Sequence, residues 1–206
     1  MNIPNLLTLF RIFFAVEVFV FCAYRNWELC LLFFVLASVT DFFDGWWARK
    51  YNQITVFGRI MDPFADKFLI CGTFICLLGV PPLIFSRQAT VPAWTMLQPW
   101  MAVVLVAREL FITSLRAVIE KSGGDFSAKW IGKWKMGLQC AALVMCFVYL
   151  SFHSRFSGKG LAKHPLLVLN IIWLVLLWAT VIITLYSGIS YSWRAVKQLR
   201  DDNAGG

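Results

Sequence analysis

The chain has 206 residues, of which 60% are hydrophobic and 15% charged, with a mean hydropathy of +0.71. Soluble globular proteins average roughly 45–50% apolar and about 25% charged residues, so this composition excludes an ordinary soluble domain. The formal net charge of +8 is carried by residues lying between apolar runs. That pattern points to cytoplasmic loops and anionic lipid head groups and away from nucleic acid.

A spanning helix needs roughly 20 mostly apolar residues, so the length suits about six spans with short loops. The expectation is an all-α integral membrane protein with six transmembrane helices, forming one membrane domain over residues 1–206. Pro4 and Asn5 give a helix-start signal, with Asn5 as the N-cap. The first apolar run, about 6–24, predicts a span with a short interfacial N-terminal helix. Arg11 lies near enough to its end to snorkel. The run lacks a signal peptide's basic n-region and cleavage site and reads as a retained span. Further spans are predicted at about 28–49, 57–80, 94–120, 129–153 and 165–193. Pro81-Pro82, Pro92 and Ser122-Gly123-Gly124 punctuate them, and a short charged tail follows the last.

Fourteen of the nineteen Lys and Arg residues fall on one set of ends and loops, and five (Arg25, Arg87, Arg155, Lys159, Lys163) on the other. This bias places both termini and the polar turn after the second span in the cytoplasm. Tyr191 and Trp193 read as an interface anchor, and His153 and His164 as outer surface residues. The six cysteines (Cys22, Cys30, Cys71, Cys76, Cys140, Cys146) lie in apolar surroundings and read as small core hydrophobes. Glu17 and Glu28 have no partner that the sequence identifies.

One stretch stands out, DFFDGWWARKYNQITVFGRIMDPFAD from Asp41 to Asp66, with four of the chain's eleven acidic residues. Carboxylates beside hydrocarbon are costly and count as functional hypotheses by default. Asp41 and Asp44 are three apart and Asp62 and Asp66 four apart, so each pair shares one helix face. A short turn joins the two helices, which makes them antiparallel neighbours with the pairs facing each other. Four converging carboxylates repel unless cations intervene, and oxygen-only ligands favour Mg²⁺, Mn²⁺ or Ca²⁺. Four carboxylates suit two ions, a recurring device in phosphoryl transfer. Gly45 and Ala48 keep the face beside the acids open, Arg49 offers a planar donor fork for phosphate, Thr55 a hydroxyl, and Gly58 a close re-entry of the chain.

The eight fixed positions, Asp41-x2-Asp44-Gly45-x2-Ala48-Arg49-x8-Gly58-x3-Asp62-x3-Asp66, resemble the signature of the CDP-alcohol phosphatidyltransferases. NIPNLLTLFR at Asn2–Arg11, ARELFITSLR at Ala107–Arg116 and WIGKWKMGLQ at Trp130–Gln139 resemble a bacterial branch of that family. The resemblance implies transfer of a phosphatidyl group from CDP-diacylglycerol to sn-glycerol 3-phosphate, with release of CMP. It implies two divalent cations, Mg²⁺ or Mn²⁺, on Asp41, Asp44, Asp62 and Asp66, with Asp66 as general base. Asn5, Thr8, Gly45, Ala48, Arg49, Thr55 and Gly58 match the CDP-diacylglycerol side. It also implies a homodimer in the bacterial inner membrane, among membrane lipids, with the site facing the cytoplasm.

A glycerol phosphate acceptor needs a second cationic site, for which Arg59, Arg108, Arg116, Lys133 and Lys135 are candidates. Glu109, beside Arg108, is open between an orienting partner and a solvated charge. Three other readings stand beside the leading one. The same chemistry with another acceptor would give a cardiolipin synthase or a serine or inositol phosphate branch. The acids could instead line a cation path, or form a purely structural metal site.

Overall fold

The computed structural model describes residues 3–51, 56–80, 97–121, 130–156 and 163–204. Thr55 lies outside these residues, and so do the side chains of Asp44, Gly45, Ala48, Arg49, Arg59 and Lys133. The described residues form six α-helices: α1 (Ile3–Ala23), α2 (Trp27–Tyr51), α3 (Val56–Leu77), α4 (Pro99–Lys121), α5 (Trp130–Phe156) and α6 (Lys163–Ala204). They pack as an all-α bundle. One group is α1 against α2 and α3. A second is α6 against α4 and α5, with α5 also on α2.

The expectation of six transmembrane helices is not met. Among the described residues three helices are long and apolar enough to cross a membrane: Asn5–Ala23, Trp134–Phe156 and Pro165–Ala195. The other three carry the charges that mark the candidate site. Asp41, Asp44, Arg49 and Lys50 interrupt α2, Arg59, Asp62, Asp66 and Lys67 interrupt α3, and Arg108, Glu109 and Arg116 interrupt α4. Among the described residues there is also no separate interfacial N-terminal helix, since α1 runs unbroken from Ile3 to Ala23. Asn5 therefore sits inside α1 and is not its N-cap, whereas Pro4 occupies the first turn, where its missing N–H is harmless.

A tight turn fixes α1 against α2. Arg25 adopts a left-handed backbone with φ 56°, and the Asn26 N–H donates to the Phe21 carbonyl at 3.0 Å, closing the end of α1. The Asn26 side chain then accepts from the Leu29 N–H at 3.4 Å and starts α2. The two helices run antiparallel. At 1.5 Å per residue, Arg11 and Asp41 lie at similar depths, about 18 and about 21 Å from the turn.

The core follows from apolar side chains on the inward faces. Phe34 of α2 is fully buried and meets Phe147 of α5 with ring centroids 5.9 Å apart. Phe19 of α1 lies directly on the α3 backbone, where a Cβ at Gly72 would come within 2.2 Å of Phe19 Cζ. Leu167, Val168, Ile171, Val175, Ile182 and Ile189 project outward from α6, as suits a helix whose solvent is lipid. That helix does not stop near Trp193 but continues through the charged tail to Ala204. Removing the Phe34 ring opens a cavity between α2 and α5. Phe34→Ala is expected to lower the unfolding temperature in detergent, for a loss on the order of 3 kcal/mol, read by differential scanning fluorimetry.

Candidate active site

Three helices bring their charged residues to one level. On α1, Thr8 and Arg11 are three residues apart, and on α3, Asp62 and Asp66 are four apart. Each pair lies on one helix face, so the two pairs meet one-to-one. The Thr8 hydroxyl donates to Asp62 Oδ1 at 2.6 Å, and Arg11 Nη1 donates to Asp66 Oδ1 at 2.5 Å. Arg11 Nη2 completes a bridge to Asp41 Oδ1 on α2 at 2.9 Å. Thr8 and Arg11 are fully buried, while the Asp41 and Asp66 side chains keep about a third of their surface open.

Arg11 was expected to snorkel, but its guanidinium points inward and joins α2 to α3. A signal for this was present: a charge inside an apolar run ordinarily pairs. Thr8 and Arg11 also repeat the helical-face spacing of the acids they meet. Asn5 is half-buried one turn before Thr8, and Gly58 is buried at the start of α3. Gly45, Ala48 and Arg49 belong to the last turns of α2.

Among the described residues, no group of three or more His, Cys, Asp and Glu side chains is placed to hold a metal ion. The donor chemistry nevertheless suits one. Asp41, Asp62 and Asp66 offer carboxylate oxygens, the ligand type of hard divalent cations, and Asp44 lies one turn along α2 from Asp41. Among the described residues, the Arg11 guanidinium bridges two of these three carboxylates, and the Thr8 hydroxyl meets the third.

Asp66 also forms part of a second feature, a cavity of about 250 Å³ between α3, α4, α5 and α6. Its walls include Lys67, Arg108, Glu109, Arg116, Lys135, Gln139 and Tyr191. Among the described residues, four cations against the two acids Asp66 and Glu109 give the lining a formal charge of +2. Glu109 is an orienting partner and not a solvated charge. It forms a close ion pair with Lys135, lies 3.6 Å from Arg108 Nη1, and accepts from Gln139 Nε2 at 3.4 Å. The structure thus gathers Arg108, Arg116 and Lys135 around one cavity. Lys67, Gln139 and Tyr191 were missed by sequence reasoning. Lys67 was visible as the neighbour of Asp66, and Gln139 as the residue one turn after Lys135, whereas nothing local shows which face of its helix Tyr191 takes. Tyr191 was read as an interface anchor, yet it is buried at 4% exposure, while Trp193 is 76% exposed. At the opposite end of the bundle, Glu28 pairs with Arg155 at 2.8 Å on the surface.

An all-α membrane bundle with half-buried acids beside a basic cavity defines a class of protein that handles an anionic substrate at a lipid boundary. The family description CDP-alcohol phosphatidyltransferase matches residues 1–186, and the chain belongs to that family. It is similar to three curated relatives, each a CDP-diacylglycerol–glycerol-3-phosphate 3-phosphatidyltransferase. It is 36% identical over 191 residues to that of Pectobacterium atrosepticum, covering 81% of this chain and 97% of the relative. It is 32% identical over 194 residues to that of Rickettsia bellii, covering 92% and 93%. It is 37% identical over 165 residues to that of Escherichia coli (strain K12), covering 78% and 84%.

Removing a buried cation takes from Asp41 and Asp66 the guanidinium that bridges them. Arg11→Met is expected to destabilise the protein by roughly 3–5 kcal/mol, seen as a large drop in unfolding temperature in detergent. A parent-like temperature would sink the view of Arg11 as the brace between α2 and α3.

Proposed function

We propose that the chain transfers the phosphatidyl group of CDP-diacylglycerol to sn-glycerol 3-phosphate, giving phosphatidylglycerophosphate and CMP. It is a multi-pass protein of the bacterial inner membrane, and its site opens toward the cytoplasm, where the acceptor and CMP are dissolved. The observation that carries this reading is the position of Asp66. Its carboxylate belongs both to the acid cluster bridged by Arg11 and to the cavity lined by Arg108, Arg116 and Lys135. A group there touches donor and acceptor at once.

Asp41, Asp44, Asp62 and Asp66 would hold the divalent cations, Mg²⁺ or Mn²⁺, which when bound neutralise charge on the donor's pyrophosphate. Asn5, Thr8, Gly45, Ala48, Arg49, Thr55 and Gly58 form the donor side, with the acyl chains left in lipid between helices. Thr8 steadies Asp62, and Arg11 holds Asp41 and Asp66 at a fixed separation. Arg108, Arg116 and Lys135, with Arg59 and Lys133, receive the acceptor's phosphate. Its free primary hydroxyl then lies toward Asp66, which takes the proton. The hydroxyl oxygen bonds to the lipid-side phosphorus, the bond from that phosphorus to the CMP oxygen breaks, and CMP leaves.

The +2 lining favours this acceptor over phosphatidylglycerol. A phosphate monoester carries about −1.5 to −2 charge at neutral pH, whereas the reacting glycerol of phosphatidylglycerol is neutral. The homodimer forms part of the same proposal and is checked by crosslinking in membranes.

The deciding assay offers purified protein CDP-diacylglycerol with glycerol 3-phosphate, phosphatidylglycerol, serine or inositol phosphate, and follows CMP. Release with glycerol 3-phosphate is expected, and release with another acceptor alone would overturn the assignment. Asp66→Asn is expected to lower CMP release by at least about 100-fold while lowering the unfolding temperature less than Arg11→Met does, since an amide oxygen still accepts from Arg11 and Asp41 stays paired with it. Chelating divalent cations is expected to abolish release, and Mg²⁺ or Mn²⁺ to restore it.

A further inference from the structure

Tyr191 lies beyond the family-matched region, which ends at residue 186, yet it walls the basic cavity. Two features of its setting bear on Arg108. The Arg108 guanidinium carbon lies 5.7 Å from the centre of the Tyr191 ring, a cation–π distance. One turn earlier on α6, Gly188 gives room to the stem of the same arginine, since a Cβ there would come within 3.3 Å of Arg108 Cγ. Ring and gap lie on one face of α6, three residues apart. The Tyr191 ring is itself held, packed with Ile112 and Leu115 of α4 and with Ala195. Its hydroxyl reaches α5, 3.5 Å from where a Cβ on Gly132 would stand. Arg194 sits near the same ring, with its guanidinium carbon 5.9 Å from the centre.

We infer that Tyr191, with Gly188, is a positioning residue that fixes the Arg108 guanidinium in the acceptor cavity, making the last part of α6 a determinant of phosphate binding. The inference deepens the acceptor reading above and rests on it. Physically, a guanidinium on a long stem loses rotamer freedom when it grips an anion. A ring face and a fitted groove remove that freedom beforehand. Glu109, at 3.6 Å, restrains the same guanidinium from the side of α4.

The test is calorimetric titration of the full chain in detergent with inorganic phosphate and with glycerol 3-phosphate, alongside CMP-release kinetics. Tyr191→Leu is expected to weaken phosphate binding and raise the KM for glycerol 3-phosphate by about tenfold, with the KM for CDP-diacylglycerol unmoved. Tyr191→Phe, which keeps the ring, is expected to restore affinity to within about twofold of the parent. Gly188→Val, which crowds the arginine stem without touching the ring, is expected to weaken phosphate binding by about fivefold or more. It serves as the independent variant should Tyr191→Leu fail to fold. Parent-like phosphate affinity in either folded variant overturns the inference. So does a Tyr191→Phe protein as weak as Tyr191→Leu, or a parent that binds no phosphate. A parent that binds phosphate in this ring-dependent way but releases no CMP with glycerol 3-phosphate overturns the proposed reaction and leaves Tyr191 in its role.

Discussion

Everything at the site depends on one buried cation. Arg11 has no exposed surface, and its two terminal nitrogens reach carboxylates on two different helices. In an apolar interior a charge without a partner is far more expensive than the same charge in water. The three side chains therefore hold one another in place, and with them the three helices. Thr8 and Asp62 add a second point of contact one turn away. Two contacts at different heights fix both the slide and the rotation of α1 on α3. A shift of one turn, about 5.4 Å, would break both at once.

The bundle then divides by charge. The face between α1, α2 and α3 is acidic, and the cavity between α3 and α4 to α6 is basic. Asp66 stands at the boundary, so each half screens the other. An acid cluster without the nearby cations would repel itself more strongly, and the four cations of the cavity without Asp66 and Glu109 would leave a lining of +4 that is harder to keep dry.

Much of this was legible in the sequence. Long apolar runs with Pro, Gly and polar punctuation reveal six helices, because helix period and turn chemistry are local properties. Asp41, Asp44, Asp62 and Asp66 stand out because acids at one-turn spacing in apolar sequence are rare. The span count was misjudged for the same reason. The charges that mark the site also strip α2, α3 and α4 of the apolarity that a lipid crossing demands. Rotation was a further blind spot. Residues turn by about 100° each along a helix, so Tyr191 and Trp193 point in nearly opposite directions. Which of them faces inward depends on how α6 seats on α4, and that is a tertiary fact. The extension of α6 to Ala204 was hidden because Lys, Gln, Leu and Arg are good helix formers that read equally well as a tail.

The length of α6 has a mechanical side. Its 42 residues correspond to about 63 Å of helix, roughly twice the hydrocarbon thickness of a bilayer. One end of this rod carries an apolar flank immersed in lipid, and the other carries Tyr191 and Gly188 against Arg108. Helices answer a change in bilayer thickness by tilting, at fractions of a kcal/mol per Å of mismatch. A rod that tilts about its lipid-embedded half moves its far end through a longer arc. Tyr191, which walls the basic cavity, and Gly188, which abuts the Arg108 stem, stand on that far end.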